Sequence, residues 1–210
     1  MVKIIAHRGM WTDPSEKNTM IAFERALSNG FSIETDFRDF NGKLVVSHDI
    51  PDQNAISAKA FFDLCEQYPV DAPHALNIKS DGLHSLLSKY LQSWKLSQYF
   101  LFDMAVPDML GYLTRQLNTF ARVSEYETYQ GFDGRISGIW LDAFKGNWYL
   151  DRNQGFDLIG KISTAIVSPE LHGRSNYEEV WSWIKELYSP DASIFLCTDL
   201  PQQARDFFNE

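Results

Sequence analysis

The chain of 210 residues is 44% hydrophobic and 22% charged, with a formal net charge of -9. That length suits one larger α/β domain better than two small ones, and 15 Phe, 9 Tyr and 6 Trp supply core material that a disordered chain lacks. The acidic balance argues against nucleic acid, whose phosphate backbone is gripped through Lys and Arg; a small phosphate ligand needs only local positive charge or a metal.

In chain order, Met1 to Ala6 is too short an apolar stretch for a secretion signal and reads as the first strand. The strand candidates are Lys3–His7, Ser32–Asp36, Ala75–Lys79, Tyr99–Asp103, Phe120–Ser124, Gly138–Asp142, Thr164–Ser168 and Ile194–Thr198. Most are apolar nearly throughout, as parallel strands covered by helices are. Between them, Thr19 to Asn29 places Ile21, Phe23, Ala26 and Leu27 so that most share one helical face, and Asn29-Gly30 supplies a stop. Ala58 to Gln67 and Tyr177 to Tyr188 repeat the pattern, the latter with Val180, Trp183, Ile184 and Leu187 in a stripe. Eight strands interleaved with helices point to a (β/α)8 barrel over residues 1–210 as a single domain, with an open doubly wound sheet as the alternative. One interruption follows the second strand: Asn41-Gly42 is a tight-turn signal between Phe37–Phe40 and Leu44–His48, which together read as a β-hairpin.

Cys65 and Cys197, the two cysteines of the chain, suggest neither a disulfide framework nor a thiolate zinc site. No apolar run approaches the roughly 20 residues that span a bilayer, and no basic amphipathic surface helix stands out. A soluble cytoplasmic protein is expected.

In a barrel, the C-terminal ends of the strands converge on one mouth, and here those ends are polar. Strand one closes with His7-Arg8-Gly9; strand two carries Glu34 and Asp36; the hairpin closes with His48-Asp49, and strand three with Asn77 and Lys79. Later strands close with Asp103, Asp142, Glu170 and Asp199. Glu34 and Asp36, at i and i+2, point to one side of a strand, and two adjacent carboxylates repel unless a cation or a shared proton compensates. Oxygen ligands of this kind favour Mg²⁺ or Ca²⁺; the plainer reading is a pair of solvated acids. His7 and His48 flanking that pair suit a general acid and a general base near neutral pH, or are structural histidines. Arg8 and Lys79 either meet a phosphoryl group or simply neutralise the acids.

These residues resemble the glycerophosphodiester phosphodiesterase family, whose fold is shared with phosphatidylinositol-specific phospholipase C and spider-venom phospholipase D. The resemblance runs through Ile5-Ala6-His7-Arg8-Gly9, Asn18-Thr19 with Ala22-Phe23 and Ala26, Glu34-Thr35-Asp36, Gly42, Leu44-Val45-Val46 and His48-Asp49, and returns at Thr198-Asp199 and Pro201. It is dense over the first fifty residues and one of barrel layout from about residue 80 to 190. It implies a (β/α)8 barrel that hydrolyses a small phosphodiester with one bound divalent cation, Mg²⁺ or Ca²⁺. By position, His7 and His48 would be the acid–base pair, Glu34 and Asp36 would hold the metal, and Arg8 and Lys79 would meet the phosphate.

The chain also departs from the family. The third-strand motif is usually Glu-x-Lys, its Glu a metal ligand, whereas this chain has Asn77-Ile78-Lys79. The Asn77 carbonyl is expected to take that place, with Asp103, Asp142 or Glu170 as alternatives. Lys17 stands where the family often has Glu before Asn-Thr, with Glu16 one place earlier. Head-group selection is expected from aromatics near later strand ends (Tyr126, Tyr129, Trp140, Phe144 and Trp148), with Trp140 foremost as a substrate contact and packing the role of most others. Two other classes stay open: a phospholipase-like lyase that releases a cyclic phosphate, and a phosphate- or metal-binding protein without turnover.

Overall fold

A computed structural model describes residues 2–94, 98–132, 134–150, 159, 161–189 and 192–209. They group into two compact units, Ala6–Thr119 and the pair of segments Met1–Ile5 and Phe120–Glu210. Among the described residues no helix is long and apolar enough to cross a membrane.

The unit Ala6–Thr119 is built around β2 (Ser32–Phe40), which has the end of β1 (Lys3–His7) on one side and β5 (His74–Ile78) on the other, with β6 (Tyr99–Phe102) beyond β5. The β2–β5 and β5–β6 pairs are parallel, with Asp36 opposite Asn77 and Asn77 opposite Phe102. From Phe37, which lies opposite Ile78 of β5 on one edge and Val46 on the other, β2 pairs antiparallel with β3 (Lys43–Val46), so the expected hairpin is a continuation of the second strand. Asn41 and Gly42 take the positive φ values, 50° and 75°, that a two-residue hairpin turn needs. A two-residue strand, β4 (Ile56–Ser57), adds a further antiparallel pair on β3.

The helices of this unit start and stop where their sequences say. In α1 (Met20–Ser28) the Thr19 hydroxyl accepts from the Ala22 amide, and Gly30 at φ 77° ends the helix with its N–H on the Leu27 carbonyl. Ser57 caps α2 (Ala58–Gln67) by accepting from the Ala60 amide. After β5 and β6 come α3 (His84–Trp94) and α4 (Val106–Thr114), the latter with Pro107 in its first turn, where a missing N–H costs nothing. The core is aromatic: Phe37 stacks on Phe62 at 5.7 Å and meets Phe61 edge-on, and Phe23 meets Phe61 likewise. This packing fixes β2 at Phe37, one residue beyond Asp36.

In the other unit β7 (Phe120–Val123), β8 (Gly138–Leu141), β9 (Ser163–Val167) and β10 (Ile194–Thr198) run parallel in that order, with the first residues of β1 beside β10. The helices α5 (Tyr177–Leu187) and α6 (Pro201–Asn209) follow β9 and β10. Trp181 is fully buried here, packed on Phe207 and Tyr177 with its indole N–H on the Ser168 hydroxyl. Among the described residues of the connections β7–β8 and β8–β9 there are 3₁₀ turns at Gln130–Phe132 and Trp148–Leu150.

Candidate active site

Of the residues singled out in the first eighty positions, His7, Arg8, Glu34, Asp36, Asn77 and Lys79 meet where β1 and β5 end beside the middle of β2. At the end of β1 the chain turns through two left-handed residues, Arg8 at φ 55° and Gly9 at φ 88°. A Cβ on Gly9 would lie 2.8 Å from the backbone carbon of Ala22, so the turn admits glycine alone. The turn clamps the Arg8 backbone: its N–H donates to the Glu34 carbonyl at 2.9 Å, and its carbonyl accepts from the Asn18 amide at 3.0 Å.

Glu34 and Asp36 project to one side of β2 and are both buried. The Arg8 Nε lies 3.1 Å from Asp36 Oδ2 but out of hydrogen-bond alignment, so the contact is an ion pair only. Lys79 Nζ stands 3.6 Å from Asp36 Oδ1 and donates to Asp103 Oδ2 at 3.0 Å. His7 Nε2 is 3.9 Å from Glu34 Oε2, and the Asn77 amide donates to Glu34 Oε1 at 3.2 Å. Burial, and next the charge of Asp36, push the Glu34 carboxyl up to about 7 against the pull of His7, Arg8 and Lys79.

Three buried oxygens of this cluster, Glu34 Oε2, Asp36 Oδ1 and Asn77 Oδ1, have no hydrogen-bond partner among the described residues. An unsatisfied buried acceptor costs about 1–3 kcal/mol, more when charged, so three together on facing residues of neighbouring strands mark a place for something positive. Two carboxylate oxygens and an amide carbonyl form a hard donor set that fits Mg²⁺ or Ca²⁺. Among the described residues no three of His, Cys, Asp and Glu gather as a metal-holding group; the amide of Asn77 is what makes the set three.

The remaining candidates are placed as follows. His48 comes just after Ser47, whose N–H donates to the Asp36 carbonyl at 2.9 Å, so the hairpin returns the chain to the carboxylate pair. Its ring is partly exposed and bonds Asp49 Oδ1 through Nδ1 at 2.9 Å. Trp140 is buried in β8, in the other unit; Asp142, just after β8, is buried there too, and Glu170, half-buried, lies in the turn after β9. Asp142 Oδ1 contacts His172 Nε2 at 2.7 Å and accepts from the Ala143 amide. Glu170 accepts from the Ser168 and Thr198 hydroxyls and from the Asp199 amide. Asp103, the alternative acid within the same unit, faces Lys79. One further residue at the site, Asn18, stood out in sequence only as part of a family stretch; its side chain donates to Asp36 Oδ2 at 2.8 Å.

No protein-family model matches the sequence, and no curated protein matches it. Solved structures do. A glycerophosphodiester phosphodiesterase from Parabacteroides distasonis is 12% identical with a TM-score of 0.75, over 99% of this chain and 97% of its own. One from Agrobacterium tumefaciens is 16% identical with a TM-score of 0.65 over the whole of both chains. A Ca²⁺-dependent phosphatidylinositol-specific phospholipase C from Streptomyces antibioticus is 12% identical with a TM-score of 0.59, over 97% of this chain and 96% of its own. The chain therefore has the fold of these phosphodiesterases, the (β/α)8 class expected from its strands and helices.

Proposed function

We propose that the protein is a metal-dependent phosphodiester hydrolase of the glycerophosphodiesterase kind, acting on a small phosphodiester. The observation that carries this reading is the group of three buried oxygens on Glu34, Asp36 and Asn77 that have no hydrogen-bond partner among the described residues, beside one imidazole and two fixed cations. The likeness to phosphodiesterases over nearly the full chain supports it.

A divalent cation held by Glu34, Asp36 and Asn77 would offset the charge that gathers on the non-bridging oxygens of the phosphoryl group. Arg8, its backbone clamped and its guanidinium against Asp36, and Lys79, shared between Asp36 and Asp103, hold fixed positive charge beside the carboxylates and meet the phosphate. Because that charge is already oriented, it costs no reorganisation when the reaction occurs. His7 and His48 act as the acid–base pair. One takes a proton from the attacking water; the other gives a proton to the departing alkoxide, which is too basic to leave unaided. Asp49 at Nδ1 of His48 leaves the opposite ring nitrogen, Nε2, for that exchange. Acid–base help of this kind is worth about 10²–10⁴-fold per step.

The test is turnover of glycerophosphodiesters followed by phosphorus NMR, with Mg²⁺, with Ca²⁺ and with chelator. The expected result is ion-dependent release of a phosphomonoester, reduced at least about 10²-fold in His7→Ala and in His48→Ala. Accumulation of a cyclic phosphate would assign the lyase reaction instead. Turnover that survives chelation, or His7→Ala at the wild-type rate, would overturn the mechanism.

A further inference from the structure

Asn18 joins two side chains that leave opposite faces of β2. Its Nδ2 donates to Asp36 Oδ2 at 2.8 Å, and its Oδ1 accepts from the Thr35 hydroxyl at 2.8 Å. An ionised carboxylate only accepts, so the NH₂ end of the amide must face Asp36; the carbonyl end then receives the one proton that Thr35 has to give. Thr35 and Asp36 are both fully buried, so neither bond competes with bulk water.

The loop that carries Asn18 is itself pinned. Asn18 takes a left-handed conformation, φ 58°, and its backbone N–H is on the Arg8 carbonyl. Two residues before it, Glu16 receives the Thr12 amide at 2.8 Å and pairs with Arg25 at 2.7 Å, and the same Arg25 holds the Met10 carbonyl at 2.8 Å. The Thr19 hydroxyl closes back on the Glu16 carbonyl at 2.6 Å. Asn18 thus stands on a fixed support and has little freedom of its own.

The consequence falls on Asp36, whose two oxygens are made unlike. Oδ2 takes the Asn18 hydrogen bond and the Arg8 ion pair; Oδ1 has no hydrogen-bond partner among the described residues. Were the carboxylate free to rotate, the two cations at 3.1 Å and 3.6 Å would compete for both oxygens. We infer that Asn18 is a positioning residue of the ion site: locked by Thr35, it holds Asp36 so that Oδ1 stays available as a cation ligand. This rests on the reading of Glu34, Asp36 and Asn77 as the ion-holding set. Hydrogen-bond partners of metal-ligating carboxylates are generally worth about 10–100-fold in metal affinity.

The experiment is calorimetric titration of Mn²⁺ and of Mg²⁺ into the full chain, with thermal melting of each variant without ion. Glycine keeps the left-handed backbone, so Asn18→Gly removes the amide alone. It is expected to weaken ion binding about 10–100-fold. Thr35→Val, which frees one end of the amide, is expected to weaken it by about threefold. The double variant should bind no more weakly than Asn18→Gly, because both changes act through the same carboxylate. At saturating ion the turnover number of Asn18→Gly should return to within about twofold of wild type, a recovery that a loss of fold would not allow. Wild-type affinity in Asn18→Gly, with Glu34→Gln losing the ion, overturns the inference and spares the reading of the site. Unchanged binding in Glu34→Gln overturns both. Should Asn18→Gly melt too low to titrate, Thr35→Val decides alone, and affinity equal to wild type there overturns the role.

Discussion

At Asn77 one amide does two jobs that a carboxylate could not combine: it donates to Glu34 Oε1 and leaves its own carbonyl oxygen without a partner. Asn77→Asp keeps the shape but deletes the donor and sets a third acid beside Glu34 and Asp36. Without ion the folded state is expected to lose about 3 kcal/mol, the usual size for an uncompensated buried charge. With Mg²⁺ or Ca²⁺ the loss should be largely recovered, and affinity should rise on the order of tenfold, since ion binding strengthens with the ligands' charge count. Thermal melts of both proteins with and without ion read the two effects together. His74 offers a separate test, in pH. It is buried at the start of β5, accepts the Ile33 N–H on Nδ1 at 3.2 Å, and is pushed down from 6.5 to about 4 by burial. Above pH 6.5 the ring is neutral folded or unfolded, so it adds no pH dependence there. Between 6.5 and 4 the unfolded chain takes up a proton that the folded one refuses. Stability is therefore expected to fall by up to about 3 kcal/mol as pH drops through that window. Denaturant melts between pH 4 and 7 should show a steeper fall in wild type than in His74→Asn.

Among the elements, the turn after β1 is the most tightly specified. Gly9→Ala must place a methyl 2.8 Å from the Ala22 backbone in a left-handed residue, and the expected cost is about 3 kcal/mol or more, seen as a lowered denaturation midpoint. Much of this level was legible in the sequence. The eight apolar runs are strands because their pattern is local, and Asn41-Gly42 signalled the hairpin through a conformation few other residue pairs adopt. What stayed hidden depends on partners distant in the chain. β2 runs unbroken to Phe40 because β3, on the edge opposite β5, pairs with it past the last β5 partner at Phe37. Ile56–Ser57 is a strand only because β3 lies beside it; its own letters announce the Ser57 cap of α2. The role of Asn18 needs Thr35 and Asp36 brought to it across a loop, and no spacing rule relates those positions. The pair Glu34 and Asp36 was legible because a strand alone puts i and i+2 on one side.

On the scale of the whole molecule, the acids form two kinds of group. Glu34 and Asp36 of β2 each keep an oxygen with no hydrogen-bond partner among the described residues, whereas Glu170, in the turn after β9, is engaged by the Ser168 and Thr198 hydroxyls and the Asp199 amide. Glu170 accordingly ties β9 to β10, and Glu170→Ala is expected to lower stability by about 2 kcal/mol while leaving ion affinity unchanged, as melting and calorimetry on one preparation would show. The fold is that of phosphodiesterases at 12–16% identity, a distance at which packing persists while catalytic side chains can drift, so the site rests on its own geometry. The most direct measurement is the anomalous signal of Mn²⁺ in crystals of the protein. One strong peak is expected within about 2.0–2.6 Å of Glu34 Oε2, Asp36 Oδ1 and Asn77 Oδ1. A peak coordinated by other acids with these three oxygens left bare, or no peak at saturating Mn²⁺, would contradict it.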